Sequence, residues 1–310
     1  MRAIRQSDRR RSVSASVPRC TFRSPSKIAG ERWDSPQELP NNNFGSSAIK
    51  SSSWARSHPA GRLSGPDSSD AVVPSLPKMT PACPEVPMFQ INPLPAQLAS
   101  TLVERALLAE PAVVGHFRLM GFPDGGIQPQ IESGRIAGTA VTLALPGADS
   151  ALLHHVASTL RPGDVLVIDR LGDKTHACLG GGVAFALKQR GIAGIVIDGP
   201  AADPAELREH GVPIWSRGLS AITTRTYAVG GAFNIPVSIG GAVVQPGDLV
   251  IADEGGIVFI PPAEASNDVE RAIRMIEGER QGMGLIADGK PLGALSGATA
   301  LVEKAVAPAG

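Results

Sequence analysis

Residues 163–211 read GDVLVIDRLGDKTHACLGGGVAFALKQRGIAGIVIDGPAADPAELREHG. Two nearly continuous apolar runs, DVLVID and GIVID, are bounded by charge and turn residues. Such runs belong to strands buried on both faces. Between them GGVAFALKQRG has the composition and length of a helix, and DPAELREHG is a shorter one with Gly211 placed as its C-cap. Strand, helix, strand, helix implies parallel pairing and an α/β fold.

Upstream, RIAGTAVTLALPG (135–147) is β-branched and apolar and stops at a Pro-Gly turn signal, so it reads as a strand. ADSALLHHVASTL follows as an amphipathic helix broken by Arg161-Pro162-Gly163; His154 and His155 fall within it, where solvated or capping roles suit them. Further back, Leu98, Leu102, Ala106 and Leu107 recur at helical spacing. Downstream, VPIWSRG, NIPVSIGGAVV and DLVIADEGGIVFIP are strand-like and joined by short glycine-rich turns, which predicts antiparallel pairing. Asp253-Glu254-Gly255-Gly256 marks a hairpin, because residues tolerant of positive φ separate two apolar runs. A closing helix from Pro262 places Val269, Ile273 and Ile276 on one stripe.

Composition divides the chain. Residues 1–78 hold 13 Lys and Arg against 6 Asp and Glu, with 17 serines; the remainder reverses to 16 against 23. The neutral total therefore conceals a basic head and an acidic body. A polar Ser/Pro-rich segment buries too little surface to offset the entropy of ordering it, so disorder is expected over residues 1–87. That stretch is open to three readings: an organellar presequence, an upstream start with Met79 or Met88 as the true first residue, or a solvated basic tail. The folded domain is expected over 88–286, with a C-terminal tail over 287–310. No apolar run of about 18 residues occurs, so no membrane span is expected. With only Cys20, Cys83 and Cys178, a disulfide framework is unavailable and a cytoplasmic setting is the default.

Two loops sit where a buried strand hands over to a helix, the usual address of ligands in such sheets. In the first, Gly180, Gly181 and Gly182 leave the backbone bare at a helix start, which suits an anion. The same glycines would equally serve close helix–sheet packing. In the second, Asp203 is placed to cap its own helix, and a carboxylate at a strand's C-terminal end also suits a hard cation such as Mg²⁺.

The ordered strings GDVLVIDRLGD, HACLGGGVAFALKQRGIAGIVIDGPAADPAELREHGVPIWSRG and NIPVSIGGAVVQPGDLVIADEGGIVFIP resemble the family of 4-hydroxy-4-methyl-2-oxoglutarate aldolases and regulators of ribonuclease E activity (RraA-like), formerly labelled demethylmenaquinone methyltransferases. The resemblance spans roughly Val113 to Glu279. It implies a swivelling-type β/β/α sandwich with mixed sheets, assembled as a homotrimer with sites between subunits. It implies that backbone amides of Gly180, Gly181, Gly182 and Val183 bind a keto-acid carboxylate. It implies that Asp203 is the catalytic residue and the ligand of a divalent metal, Mg or Mn. In the family motif D-G-x-x-R-D the arginine contacts substrate, and Ala202 stands in that place. Gly181 likewise stands where aldolase members can carry an acid. Arg217 or Arg225 could supply a cation instead, although salt bridges would occupy them equally well.

Two functions follow. One is a metal-dependent carbon–carbon lyase that cleaves a 2-oxo acid through a metal-stabilised pyruvate enolate, with oxaloacetate decarboxylation as a companion activity. The other is a non-catalytic regulatory protein on the same scaffold. A methyltransferase is disfavoured, since the triple glycine follows no nucleoside-binding strand and lacks an acidic ribose partner. A membrane partner is not expected, and nucleic acid is a minor candidate beside a small 2-oxo acid.

Overall fold

A computed structural model describes residues 87–132 and 134–306. The disorder expected over 1–87 therefore lies outside the described residues, save for position 87. Along the chain run β1 (Phe89–Ile91), α1 (Ser100–Ala106), α2 (Pro111–Val114), β2 (Gln128–Pro129), β3 (Ile136–Ala144), α3 (Ala151–Val156), β4 (Asp164–Asp169), α4 (Gly181–Gln189), β5 (Gly194–Asp198), α5 (Pro204–His210) and β6 (Ile214–Ser216). These are followed by β7 (Gly231–Phe233), β8 (Val237–Ile239), β9 (Ala242–Val244), β10 (Leu249–Asp253), β11 (Gly256–Ile260), α6 (Pro262–Ala287), α7 (Leu292–Leu295) and α8 (Ala298–Val306).

The centre is a parallel ladder, β3–β4–β5–β6, in register from Thr139↔Asp164 and Val165↔Gly194 to Val196↔Trp215. β6 thus extends the parallel sheet on one edge, and only on its other edge, against β2, does it pair antiparallel as expected of its apolar run. The short α5 supplies the crossover that a parallel neighbour requires. Strands β8 to β11 do pair antiparallel, while β7 pairs parallel with β1 and antiparallel with β3. β8 and β9 form a hairpin about Gly240 and Gly241, both at positive φ, and β10 and β11 form another about Glu254-Gly255. β3 is long enough to pair on one edge with two partners, β10 along its first half and β7 at its end. The sheet is therefore mixed.

Period-2 alternation distributes side chains to two cores. Leu166, Ile168, Ile195 and Ile197 face α3, α4 and α5 with Leu153, Leu187 and Leu207. Val165, Val167, Val196 and Trp215 face the other way, onto β8 and β9 and one face of the β10–β11 hairpin. The hairpin's far face, Leu249, Ile251, Val258 and Ile260, packs on α1, α2 and α6, and the stripe Val269, Ile273, Ile276 is buried there. Each fully buried Leu or Ile contributes about 1.5–3 kcal/mol of burial free energy. The layers are those of a swivelling β/β/α sandwich. No helix among the described residues is long and apolar enough to cross a membrane.

Candidate functional site

The C-terminal ends of the parallel strands open into three loops, and one strap ties them together. Residues 218–225 carry a backbone bridge to each loop in turn: Leu219 to Ala201, Thr223 to Ala177 and Arg225 to Asp149. Hydrogen bonds close each bridge, among them Ala177 N–H to Ile222 C=O at 2.8 Å and Arg225 N–H to Ala148 C=O at 2.8 Å. The first two loops also bond directly, Ala202 N–H to Leu179 C=O at 2.9 Å. A cleft of about 540 Å³ lies between them, lined by Gly180, Gly182, Val183, Asp203, Thr223 and Arg225. That is the scale of small-molecule sites. A wider cleft of about 970 Å³, lined by Gln130, Arg208 and Glu254, gathers neither a helix start nor a glycine loop; chemistry is better served in the smaller one.

Gly180 caps α4, whose first intrahelical bond runs from Ala184 N–H to Gly180 C=O at 3.0 Å. The N–H groups of residues 181–183 have no partner within the helix, as in any first turn. Asp203 answers one of them: its Oδ2 accepts Gly181 N–H at 3.0 Å. This revises the expected role of Asp203. It occupies the N-cap position of α5, but its left-handed backbone (φ 54°, ψ 55°) leaves no side-chain cap bond to its own helix. The carboxylate instead joins the second loop to the first. Gly182 and Val183 line the cleft and their N–H groups have no partner among the described residues, whereas Gly181 is buried. A Cβ on Gly181 would lie 2.6 Å from Glu206 Cδ. A larger side chain at position 181 would collide with Glu206, which fills that space from α5.

Ala202 is buried, 3% exposed, and lines an adjoining hollow with Asp203, Leu219 and Thr223. Of the two arginines that could replace its missing cation, Arg217 is already engaged. It makes a bidentate pair with Asp124 at 3.0 and 2.9 Å and bonds Asp198 through Nε. These carboxylates raise its pKa further. Arg225 forms no salt bridge among the described residues. Its Nη1 donates to Thr223 C=O, Thr223 Oγ1 and Thr224 C=O at 3.2, 2.9 and 2.9 Å. No motif marks the strap, so its part in the cleft was invisible to spacing; the polar run Thr223–Thr226 was the one available signal.

Support for the glycine loop comes from behind. Arg170 is fully buried at the end of β4, contacts Gly147 C=O, and reaches Asp173 at 3.4 Å. Asp173 Oδ2 holds His176 Nδ1 at 2.8 Å. Burial raises the Asp173 pKa, but the Thr175 N–H and the His176 ring outweigh it and leave the carboxyl below its ordinary value. Gly199 is required by this packing, since a Cβ there would meet Arg170 Cγ at 2.5 Å. Cys178 is fully buried, and burial pushes its thiol up to about 11. A thiol raised that far is almost wholly unionised near neutral pH, which makes it a poor nucleophile although Cys178 lines the cleft floor.

The donor set fits a hard divalent cation of the Mg²⁺ kind. Asp203 is exposed to the cleft and keeps an unshared carboxylate oxygen, and such ions take one or two carboxylates and retain several waters. Among the described residues no group of three or more His, Cys, Asp and Glu surrounds it, so a dedicated all-protein cage of the zinc type is not built here.

Comparison with known proteins agrees with this architecture. Residues 108–259 match the family model for RraA-like proteins, described as Aldolase/RraA. The chain is 34% identical over 146 residues to a putative 4-hydroxy-4-methyl-2-oxoglutarate aldolase of Halalkalibacterium halodurans, covering 47% of this chain and 69% of that one. Identity is also 34% over 146 residues to the 4-hydroxy-4-methyl-2-oxoglutarate aldolase of Thermus thermophilus, covering 45% and 87%. Among solved structures, Streptomyces coelicolor RraAS2, an unusual member of the RNase ES inhibitor RraA family, superposes with TM-score 0.55 at 29% identity over 61% of this chain and 98% of that one. The ordered match across the parallel sheet, both site loops and the closing hairpin places this chain in the RraA-like (Aldolase/RraA) family.

Proposed function

We propose that the chain is a divalent-metal-dependent carbon–carbon lyase acting on a 2-oxo acid, of the 4-hydroxy-4-methyl-2-oxoglutarate aldolase type, with oxaloacetate decarboxylation as a companion activity. One observation carries the reading: the Asp203 carboxylate bonded to Gly181 N–H brings the acid and the glycine loop onto one cleft. The N–H groups of Gly182 and Val183, at the positive end of α4, donate to a substrate carboxylate. Asp203 presents its remaining oxygen to a Mg²⁺ or Mn²⁺ ion. When bound, that ion supplies polarisation of the keto oxygen and charge stabilisation of the enolate that both reactions share. The protein holds the reacting end in one orientation, because both loops are stitched to the strap. Homotrimeric assembly in the cytoplasm, around a domain of residues 88–286, belongs to the same reading.

Purified protein with Mg²⁺ or Mn²⁺ should release pyruvate from oxaloacetate, and Asp203→Ala should abolish the release. Wild-type protein with no turnover of oxaloacetate or of 4-hydroxy-4-methyl-2-oxoglutarate would sink the lyase reading. The buried methyl of Ala202, in place of a substrate-binding guanidinium, favours one rival, a non-catalytic regulator of a ribonuclease. Inhibition of an RNase E-type nuclease by the purified chain, in the absence of keto-acid turnover, would support that rival.

A further inference from the structure

The cleft lacks the arginine of the family motif but does not lack a cation. Its basic lining side chains are His154 and Arg225. Arg225, an exposed residue on the cleft lining, combines three features that suit an anion. Its backbone is fixed, with N–H bonded to Ala148 C=O at 2.8 Å and C=O accepting Ser150 N–H at 2.9 Å. Its Nη1 edge is tied back by Thr223 and Thr224, which pre-orients the guanidinium and leaves Nη2 and Nε without a partner among the described residues. Asp149, the bridge partner of Arg225, has its carboxylate consumed elsewhere: its oxygens accept Ala151, Tyr227 and Val229 N–H at 2.9, 3.0 and 2.6 Å. A planar fork with a free edge is the donor geometry that grips a carboxylate.

Resting on the lyase reading, we propose that Arg225 is the anion-binding residue of this cleft. It takes a carboxylate of the 2-oxo acid from the strap side, the role that position 202 no longer fills. The cation then stands on the strap stitched across the loop after β5, facing the same cleft as the glycine loop and Asp203.

The test is calorimetric titration of the full chain with oxalate, a dianion shaped like the pyruvate enolate, in the presence of Mg²⁺. Arg225→Gln, which keeps a donor for Thr223 and Thr224 but loses the charge, should weaken oxalate about tenfold to a hundredfold. Arg225→Lys should recover part of that loss, and Ala202→Arg in the Arg225→Gln background should recover most of it. Arg274→Ala, on the exposed side of α6, controls for loss of a distant positive charge and should bind as wild type. Melting curves of each variant separate binding loss from unfolding. Wild-type binding with Arg225→Gln unchanged, or no recovery from Ala202→Arg, overturns the assignment while leaving the lyase reading standing. Wild-type protein that neither binds oxalate nor turns over oxaloacetate removes both.

Discussion

Replacing Gly180 by alanine tests whether Asp203 must sit where it does. The backbone at Gly180 is extended (φ −131°, ψ −165°), a conformation open to any residue, so the new methyl brings no φ/ψ strain. Space is the obstacle. A Cβ there would lie 3.2 Å from Asp203 Cγ, closer still to Oδ2, and 3.6 Å from Ala202 Cβ. Ala202 is buried and backed by its bond to Leu179, so the Asp203 carboxylate is the group that swings away, breaking its 3.0 Å bond to Gly181 N–H. A hydrogen bond to a charged group is worth about 1.5–3 kcal/mol when shielded, and exposure of Asp203 brings this nearer about 1. Loss of glycine's unfolded-state entropy returns about 0.4–1 kcal/mol. The net change is below about 1 kcal/mol, a shift of no more than about 2–4 °C in Tm for a domain of this size. Turnover should respond quite differently. Displacing a group that orients a metal site costs about 10–100-fold in affinity or rate. The assay is pyruvate release from oxaloacetate across a Mg²⁺ titration, alongside thermal melting. Asp203→Asn provides the contrast, since it keeps an acceptor for Gly181 N–H but loses the charge; it should melt like wild type and be inactive. Full turnover by Gly180→Ala would mean that the position of Asp203 does not matter, and the coupling of the two loops would lose its functional meaning.

Arg217→Ala removes the hub joining Asp124 to Asp198 and leaves a partly buried carboxylate without its cation. It should lower stability by about 1–3 kcal/mol, read as a drop in the urea midpoint; an unchanged midpoint refutes this. Burial raises the Asp149 pKa, but the N–H groups of Ala151, Val229, Tyr227 and Ala228 outweigh it and hold the carboxyl below 3.8. A depressed folded pKa stabilises above the unfolded value, so the stability gap between wild type and Asp149→Asn should be full above about pH 4 and shrink as pH falls through the folded pKa. Melting curves from pH 7 to pH 2.5 that kept a constant gap would contradict it. Cys178, with its thiol raised to about 11 in full burial, should resist iodoacetamide at pH 8 until the chain is unfolded, and labelling of its peptide in native protein would refute that.

The sequence exposed what depends on periodicity and turn chemistry. The apolar runs at β4 and β5 found their buried, parallel places because strands covered on both faces lose alternation in polarity, and the hairpin at Glu254-Gly255 followed from turn residues between two apolar runs; NIPVSIGGAVV read as one strand-like segment and instead folds back on itself about Gly240-Gly241. Pairing direction was less visible. Ile214–Ser216 carries no mark distinguishing parallel from antiparallel, and its partner was decided by the α5 crossover. β1 was missed altogether, three residues whose pairing with Gly231–Phe233 depends on a neighbour 142 positions away. At the site, the glycine loop and Asp203 were legible as separate features. Their hydrogen bond was not, because nothing in the sequence marks the left-handed backbone at Asp203, which leaves its carboxylate bonded to the start of the preceding helix, α4, and not to its own helix.

Charge matching narrows the kind of substrate that this cleft suits. Asp203 brings one negative charge, Arg225 one positive, and the start of α4 about half a positive charge, so the bare cleft is close to neutral. A divalent cation beside Asp203 raises the local total to roughly two and a half positive charges, which balances a dicarboxylate and the further negative charge that develops on enolate formation. Without Arg225 the balance would fall by one charge, enough for a monocarboxylate but short for a dianion entering its transition state. An arginine on the strap therefore does more than replace a lost contact. If the proposed lyase reading holds, it would set dicarboxylic 2-oxo acids above pyruvate-sized monoacids by their charge, and Arg225→Gln should compress that preference, raising KM for oxaloacetate more than for a monocarboxylic 4-hydroxy-2-oxo acid.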